Sequence, residues 1–148
     1  MKKSVDSLAI ADLMTPDPIT VTTAVSIEKT LAIMNAGSLL HLPVVDEEGL
    51  LLGMVSDRDL SVIRQIPGVM EISEEEIKEV LQAPIGVVLK SRFLVNQDVT
   101  ILSASAPLQE GIDLLVATGY GAIPVVGDDE ELVGILSVID VLRWLGQD

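Results

Sequence analysis

Leu42-Pro43-Val44-Val45 recurs as Ile123-Pro124-Val125-Val126, 81 residues further along the chain. The same offset carries Gly53 onto Gly134, Ser56 onto Ser137 and Asp59 onto Asp140. It also lays Ile27, Leu31 and Met34 over Leu108, Ile112 and Leu115. From residue 19 to residue 60 the two stretches align without a gap and are identical at eight positions. A repeat decides architecture before any local pattern does, and two copies predict a pseudo-symmetric pair, not a solenoid.

Each copy can be read from its periods. Ile19-Thr20-Val21-Thr22 is a β-branched run and predicts a strand. The spacing i, i+4, i+7 of Ile27, Leu31 and Met34 predicts an amphipathic helix from Ser26 to about Gly37. Strands follow at 42–45 and 50–55 around the polar turn Asp46-Glu47-Glu48-Gly49, and Ser56 caps a helix that runs through Gln65. The second copy predicts a strand at 100–102, a helix over 107–117, strands at 123–126 and 132–136, and a helix from Val138. The fold class is α/β (α+β), with two β-α-β-β-α repeats. The strands are apolar on both sides and need cover on both faces. Between the copies Ser73 and Glu76 are spaced as a capping box, which predicts a short helix to about Leu81 before Pro84 and Gly86 restart the chain. The divisions are a first repeat at 1–72, a linker with a short helix at 73–86, and a second repeat at 87–148.

Composition narrows the function classes. A chain of 148 residues that is 49% hydrophobic can bury a core, and with one Phe, one Trp and one Tyr that core is aliphatic. The absence of Cys excludes disulfides, thiolate metal sites and Cys nucleophiles, and a single His excludes sites that need two imidazoles. The net charge of −14 leaves −6 up to Glu74 and −8 beyond it, so no basic footprint for nucleic acid exists in either half. The longest uncharged run, 30–45, is too short to cross a bilayer. Met1-Lys2-Lys3-Ser4 leads into Asp6 and Asp12 without an apolar segment, which predicts a soluble, cytoplasmic protein without a membrane partner.

The candidate chemistry sits on Ser-x-x-Asp, present twice. Ser56 with Asp59, and Ser137 with Asp140, satisfy the free amides of a helix start whatever else they do. Arg58 is either a surface cation or a charged fork for phosphate beside Ser56; Ile139 replaces it in the second copy. His41 is alone, without the further ligands a zinc site needs, and reads as a partly buried structural residue. Gly119-Tyr120-Gly121 precedes a strand and so is no dinucleotide fingerprint; it reads as a helix-ending turn. The acidic run Glu74-Glu75-Glu76 reads as a solvated first helical turn, not a metal site.

These segments together resemble the paired cystathionine β-synthase (CBS) domains, or Bateman module. The resemblance runs from Asp12-Leu13-Met14-Thr15 to Trp144. Leu42 to Asp46, Gly53-Met54-Val55-Ser56-Asp57-Arg58-Asp59, and their partners Ile123 to Val126 and Gly134 to Asp140 carry it. The second copy departs by having Gly127 where the first has Asp46, and by its opening stretch, Leu89 to Val99.

The resemblance implies two repeats packed through their sheets with two clefts for an adenosine-containing ligand: AMP, ADP, ATP or S-adenosylmethionine. One cleft would use Ser56, Arg58 and Asp59 with backbone near Val99-Thr100 and Gly121-Ala122. The other would use Ser137 and Asp140 with Ile19-Thr20 and Leu40-His41. The Asp would hold the ribose hydroxyls and the Ser would lie near phosphate. A non-catalytic regulatory module follows, with no required cofactor, no metal and no catalytic residue. The alternative is a ligand-independent scaffold that docks on a regulated enzyme or transporter. A homodimer is expected, with Trp144 and Leu145 near the terminus as apolar groups in need of cover.

Overall fold

The repeated Pro-Val-Val segments become the two most deeply buried strands among the described residues, each pinned between a parallel and an antiparallel neighbour. The computed structural model describes residues 4–61, 72–91 and 100–147. In chain order the elements are α1 (Ile10–Leu13), β1 (Thr15–Pro16), β2 (Val21–Thr22), α2 (Ile27–Ala36), β3 (His41–Val45), β4 (Leu51–Ser56), α3 (Glu74–Gln82), α4 (Gly86–Ser91), β5 (Leu102–Ser103), α5 (Leu108–Thr118), β6 (Ala122–Val126), β7 (Leu132–Ser137) and α6 (Val138–Gly146). Residues 57–61 are also helical; the rest of the helix expected through Gln65 lies outside the described residues.

The chain divides into two compact units, Ile19–Val99 and the pair of segments Met1–Pro18 with Thr100–Asp148. In the first unit the sheet order is β2-β3-β4, with β2 parallel and β4 antiparallel to β3. In the second it is β1-β7-β6-β5, the same ladder with one more antiparallel strand at its edge. The registers match down to a shift between Val44 and Val45 that recurs between Val125 and Val126. Each unit has its own aliphatic core. Val21, Ile27, Met34, Leu42, Val44 and Val55 belong to one, and Leu102, Leu108, Leu115, Ile123, Val125 and Leu136 to the other. The repeat thus folds as two α+β copies, as its pattern predicts. Among the described residues no helix is long and apolar enough to cross a membrane.

The units do not follow the repeat boundaries at 72 and 87. Residues 1–18 pack with the second repeat, and the linker helix α3 packs with the first, against α2, where Gln82 donates to Glu28 at 2.8 Å. Gly86 does not restart the chain; it opens α4, whose Val88 and Leu89 are buried in the first core. The two opening segments dock alike. Ile10 and Ala11 donate backbone hydrogen bonds to Ala106 and Ala104, and Leu108 donates to Leu8. Ile85 and Gly86 donate to Val25 and Thr23, and Ile27 donates to Ala83. The isolated bridges Ala9–Pro107 and Ser26–Pro84 show why alignment misses this: Ala9 and Pro84 are 75 residues apart, not 81.

This docking explains the repeated glycine. A Cβ on Gly134 would lie 2.6 Å from the Met14 sulfur and 2.9 Å from the Thr15 carbonyl oxygen. On Gly53 it would meet only the Leu89 side chain, at 3.0 Å. Gly134→Ala is therefore expected to cost about 1–3 kcal/mol, because a backbone oxygen must give way, and Gly53→Ala less, because a leucine methyl can rotate. Urea unfolding of the two variants checks the order; equal costs would contradict it.

The departure at Gly127 is compensated locally. In the first hairpin turn the Asp46 carboxylate accepts from the Glu48 and Leu50 amides, both at 2.9 Å. In the second, Glu131 folds its carboxylate into the space above Gly127 and accepts from the Asp129 amide at 2.9 Å. Trp144 is half-buried against the core of its own unit, whereas Val138, Ile139, Leu142 and Leu145 of α6 are exposed.

Candidate functional site

Both Ser-x-x-Asp segments sit where a strand of the sheet runs straight into a helix. The Ser56 amide donates to Asp59 Oδ2 at 2.9 Å, and the Asp59 amide donates to Ser56 Oγ at 3.1 Å. At Ser137 and Asp140 the same two bonds measure 2.8 and 3.1 Å. The sequence-predicted caps are thus present in both copies, and each satisfies two amides at a helix start. The next amide is anchored too: Asp57 donates to the Leu40 carbonyl at 2.8 Å and Val138 to that of Gly121 at 3.0 Å. Each helix start is thereby fixed to the strand beside it. The serines and aspartates are half-buried, so their polar atoms are held without being sealed.

The fixed caps retain chemical capacity. A serine hydroxyl that accepts from an amide still has its own proton to donate, and a carboxylate offers about four acceptor positions. The arrangement suits a ligand that brings hydroxyl donors to the aspartate and an acceptor oxygen to the serine.

The other predicted residues divide between the units. In Ile19–Val99 the structure brings His41 beside Ser56, its direct partner in the β3–β4 register. Arg58 is exposed on the helical turn, and Ile19 and Thr20 are exposed ahead of β2. In the other unit Ala122 pairs with Ser137, Gly121 accepts from Val138, and Thr100 is half-buried before β5. Val99 lies outside the described residues. Ile139, in the place of Arg58, is 46% exposed, so this apolar side chain stands where the first copy presents a cation.

His41 is half-buried, and burial lowers its pKa below the ordinary histidine value, partly opposed by the negative charge of Asp59. A histidine whose pKa is depressed by folding takes up a proton more readily in the unfolded chain. Stability is then complete above the unfolded value of about 6.5 and falls as the pH drops below it. His41→Gln is expected to remove that part of the decline between about pH 7 and 5.5. Urea unfolding at the two pH values reads it; an identical decline in the variant would contradict the assignment.

One contact at the site is absent from the repeat alignment. Thr15 Oγ1 donates to Asp140 Oδ1 at 3.0 Å, bringing the opening segment onto the second cap. Thr15 stands in the Asp12-Leu13-Met14-Thr15 stretch, which lies before the ungapped alignment begins at residue 19.

Comparison with known proteins accords with this architecture. A model of the CBS domain matches residues 10–64 and 90–147. A CBS domain-containing protein of Dictyostelium discoideum is 26% identical over 136 residues, spanning 92% of this chain and 90% of its own length. Two other curated relatives are much longer proteins, of which the chain spans 16% and 23%. The crystal structure of CBSX2 in complex with AMP superposes with a TM-score of 0.72 at 26% identity, over 93% of this chain and 96% of that one. CBSX2 is a chloroplastic protein of Arabidopsis thaliana. A CBS domain pair crystallised with 5-methylthioadenosine and S-adenosyl-L-methionine shares the fold, with a TM-score of 0.71 at 22% identity over 94% of this chain and 96% of that one. Matched by the family's model in both repeats and over more than half its length, the chain belongs to the CBS domain family and carries two CBS domains.

Proposed function

We propose that the protein is a non-catalytic, cytoplasmic regulatory module that binds an adenosine nucleotide. In this reading Asp59 accepts the ribose hydroxyls, and Ser56 and Arg58 hold phosphate. Ser137 and Asp140 repeat the diol site without the cation. Ile19, Thr20 and His41 of one unit, and Thr100, Gly121 and Ala122 of the other, are the further contacts assigned to ligand. The observation that carries the reading is the doubled cap: the same hydroxyl and carboxylate are held in the same geometry at two strand–helix junctions. The AMP complex of CBSX2, 26% identical over nearly the whole chain, supports the choice of adenosine. The apolar face of α6, with Leu142 59% and Leu145 54% exposed, supports a homodimer in which a second copy covers it.

A ligand-independent scaffold is the second reading. It is favoured by the mutual hydrogen bonds of each Ser–Asp pair, which a helix cap alone would explain. A thermal-shift panel of AMP, ADP, ATP and S-adenosylmethionine separates the two. Ligand at 100 times its Kd stabilises a binder by about 2.7 kcal/mol. Stabilisation by at least one nucleotide is expected; none from any of the four would favour the scaffold. Light scattering at micromolar concentration reads the dimer, and a monomeric mass would contradict it.

A further inference from the structure

We propose that Thr15 is a positioning residue for Asp140: its hydroxyl holds the carboxylate in the orientation that receives a sugar diol. The inference rests on the nucleotide-binding reading and adds a residue from outside the repeated segment. Asp140 Oδ2 accepts from the Ser137 amide at 2.8 Å, and Asp140 Oδ1 accepts from Thr15 Oγ1 at 3.0 Å. A carboxylate held at one oxygen still turns about its terminal torsion, which is broad and soft. Held at both, it has a fixed plane, and the acceptor positions left open point in fixed directions. Fixing them before ligand arrives removes an ordering cost from binding.

Thr15 itself is held by the fold. Its backbone pairs with Ile135 in the β1–β7 ladder, and the preceding Met14 packs over Gly134. The hydroxyl is thus presented by a strand edge, and sheet registration fixes its approach to Asp140. Thr15 is exposed and its hydrogen bond lies at the surface, so the core does not depend on the hydroxyl.

The test is an AMP titration of the full-length chain, followed at the separate amide signals of Asp59 and Asp140 in nitrogen-15 NMR spectra. Thr15→Val is expected to weaken AMP at Asp140 by about three- to tenfold, the worth of one hydrogen bond. Affinity at Asp59 should stay within about twofold, and Thr15→Ser, which keeps the hydroxyl, should restore Asp140. Amide exchange across β7 should match wild type in Thr15→Val, so that the lost affinity reports the hydroxyl and not a displaced segment. Weakening in Thr15→Val that Thr15→Ser does not restore would overturn the proposal in favour of segment packing. So would an unchanged Thr15→Val affinity, or wild-type AMP shifts confined to Asp59. AMP that shifts neither amide in the wild type would instead refute the nucleotide-binding reading itself, and this inference with it.

Discussion

Ile10→Ala is expected to destabilise the unit that joins residues 1–18 to 100–148 by about 2–5 kcal/mol while leaving the unit 19–99 nearly unchanged. Ile10 is fully buried and belongs to the core of Leu102, Leu108, Leu115, Ile123, Val125 and Leu136. Truncation leaves a cavity among aliphatic side chains whose strands are tied in register and cannot collapse far. The loss falls on the second repeat although the residue stands at the start of the first. Amide hydrogen exchange resolves the two: protection should drop across β6 and β7 and hold across β3 and β4. Ile85, equally buried in the other core, gives the reciprocal case, and Ile85→Ala should deprotect β3 and β4. Faster exchange at β3 and β4 in Ile10→Ala would contradict the assignment of the opening segment.

The second large effect concerns Arg58. Both caps keep serine and aspartate, but only the first has an arginine between them, Arg58, where the second has Ile139. A hydrogen bond to a charged group is worth about 1.5–3 kcal/mol, or roughly 10- to 150-fold in affinity. Arg58 is exposed, and solvent screening puts the expectation at the lower end. Arg58→Gln should therefore weaken AMP at the Asp59 site by about tenfold and leave adenosine, which has no phosphate, within about twofold. Competition calorimetry with the two ligands reads the difference. Equal losses for both would place Arg58 in the fold, and no loss for either would make it a surface cation.

The parts of the molecule that the sequence discloses are those whose signals are local. The runs at 42–45 and 123–126 are apolar and β-branched, and they form strands β3 and β6 with matching registers. Ser73 caps α3 by accepting from the Glu76 amide at 3.1 Å, as the spacing of the two residues predicts. The caps at Ser56 and Ser137 were legible for the same reason: three residues of separation bring hydroxyl and carboxylate to one helix start. What stayed hidden is long-range. The Thr15–Asp140 bond joins residues 125 apart. The docking of residues 8–11 on 104–108 follows a different offset from the rest of the repeat. α4 was masked by Pro84 and Gly86, which locally read as a break, while burial of Ile85, Val88 and Leu89 favours the helix. Trp144 reads in the sequence as an apolar group in need of cover, and part of that cover comes from its own unit. Such outcomes depend on which surfaces the chain brings together, and no periodicity reports them.

Calorimetric titration of AMP into wild type and Asp59→Asn decides whether the doubled cap also receives a sugar diol. Asparagine keeps one carbonyl oxygen for the Ser56 amide, so the cap survives, but the side chain loses the charge and second acceptor that two hydroxyls require. Saturable AMP binding is expected in the wild type, weakened at least about tenfold in Asp59→Asn with little change in melting temperature. AMP binding that is unchanged in Asp59→Asn, or absent from the wild type at millimolar ligand, would contradict the diol reading.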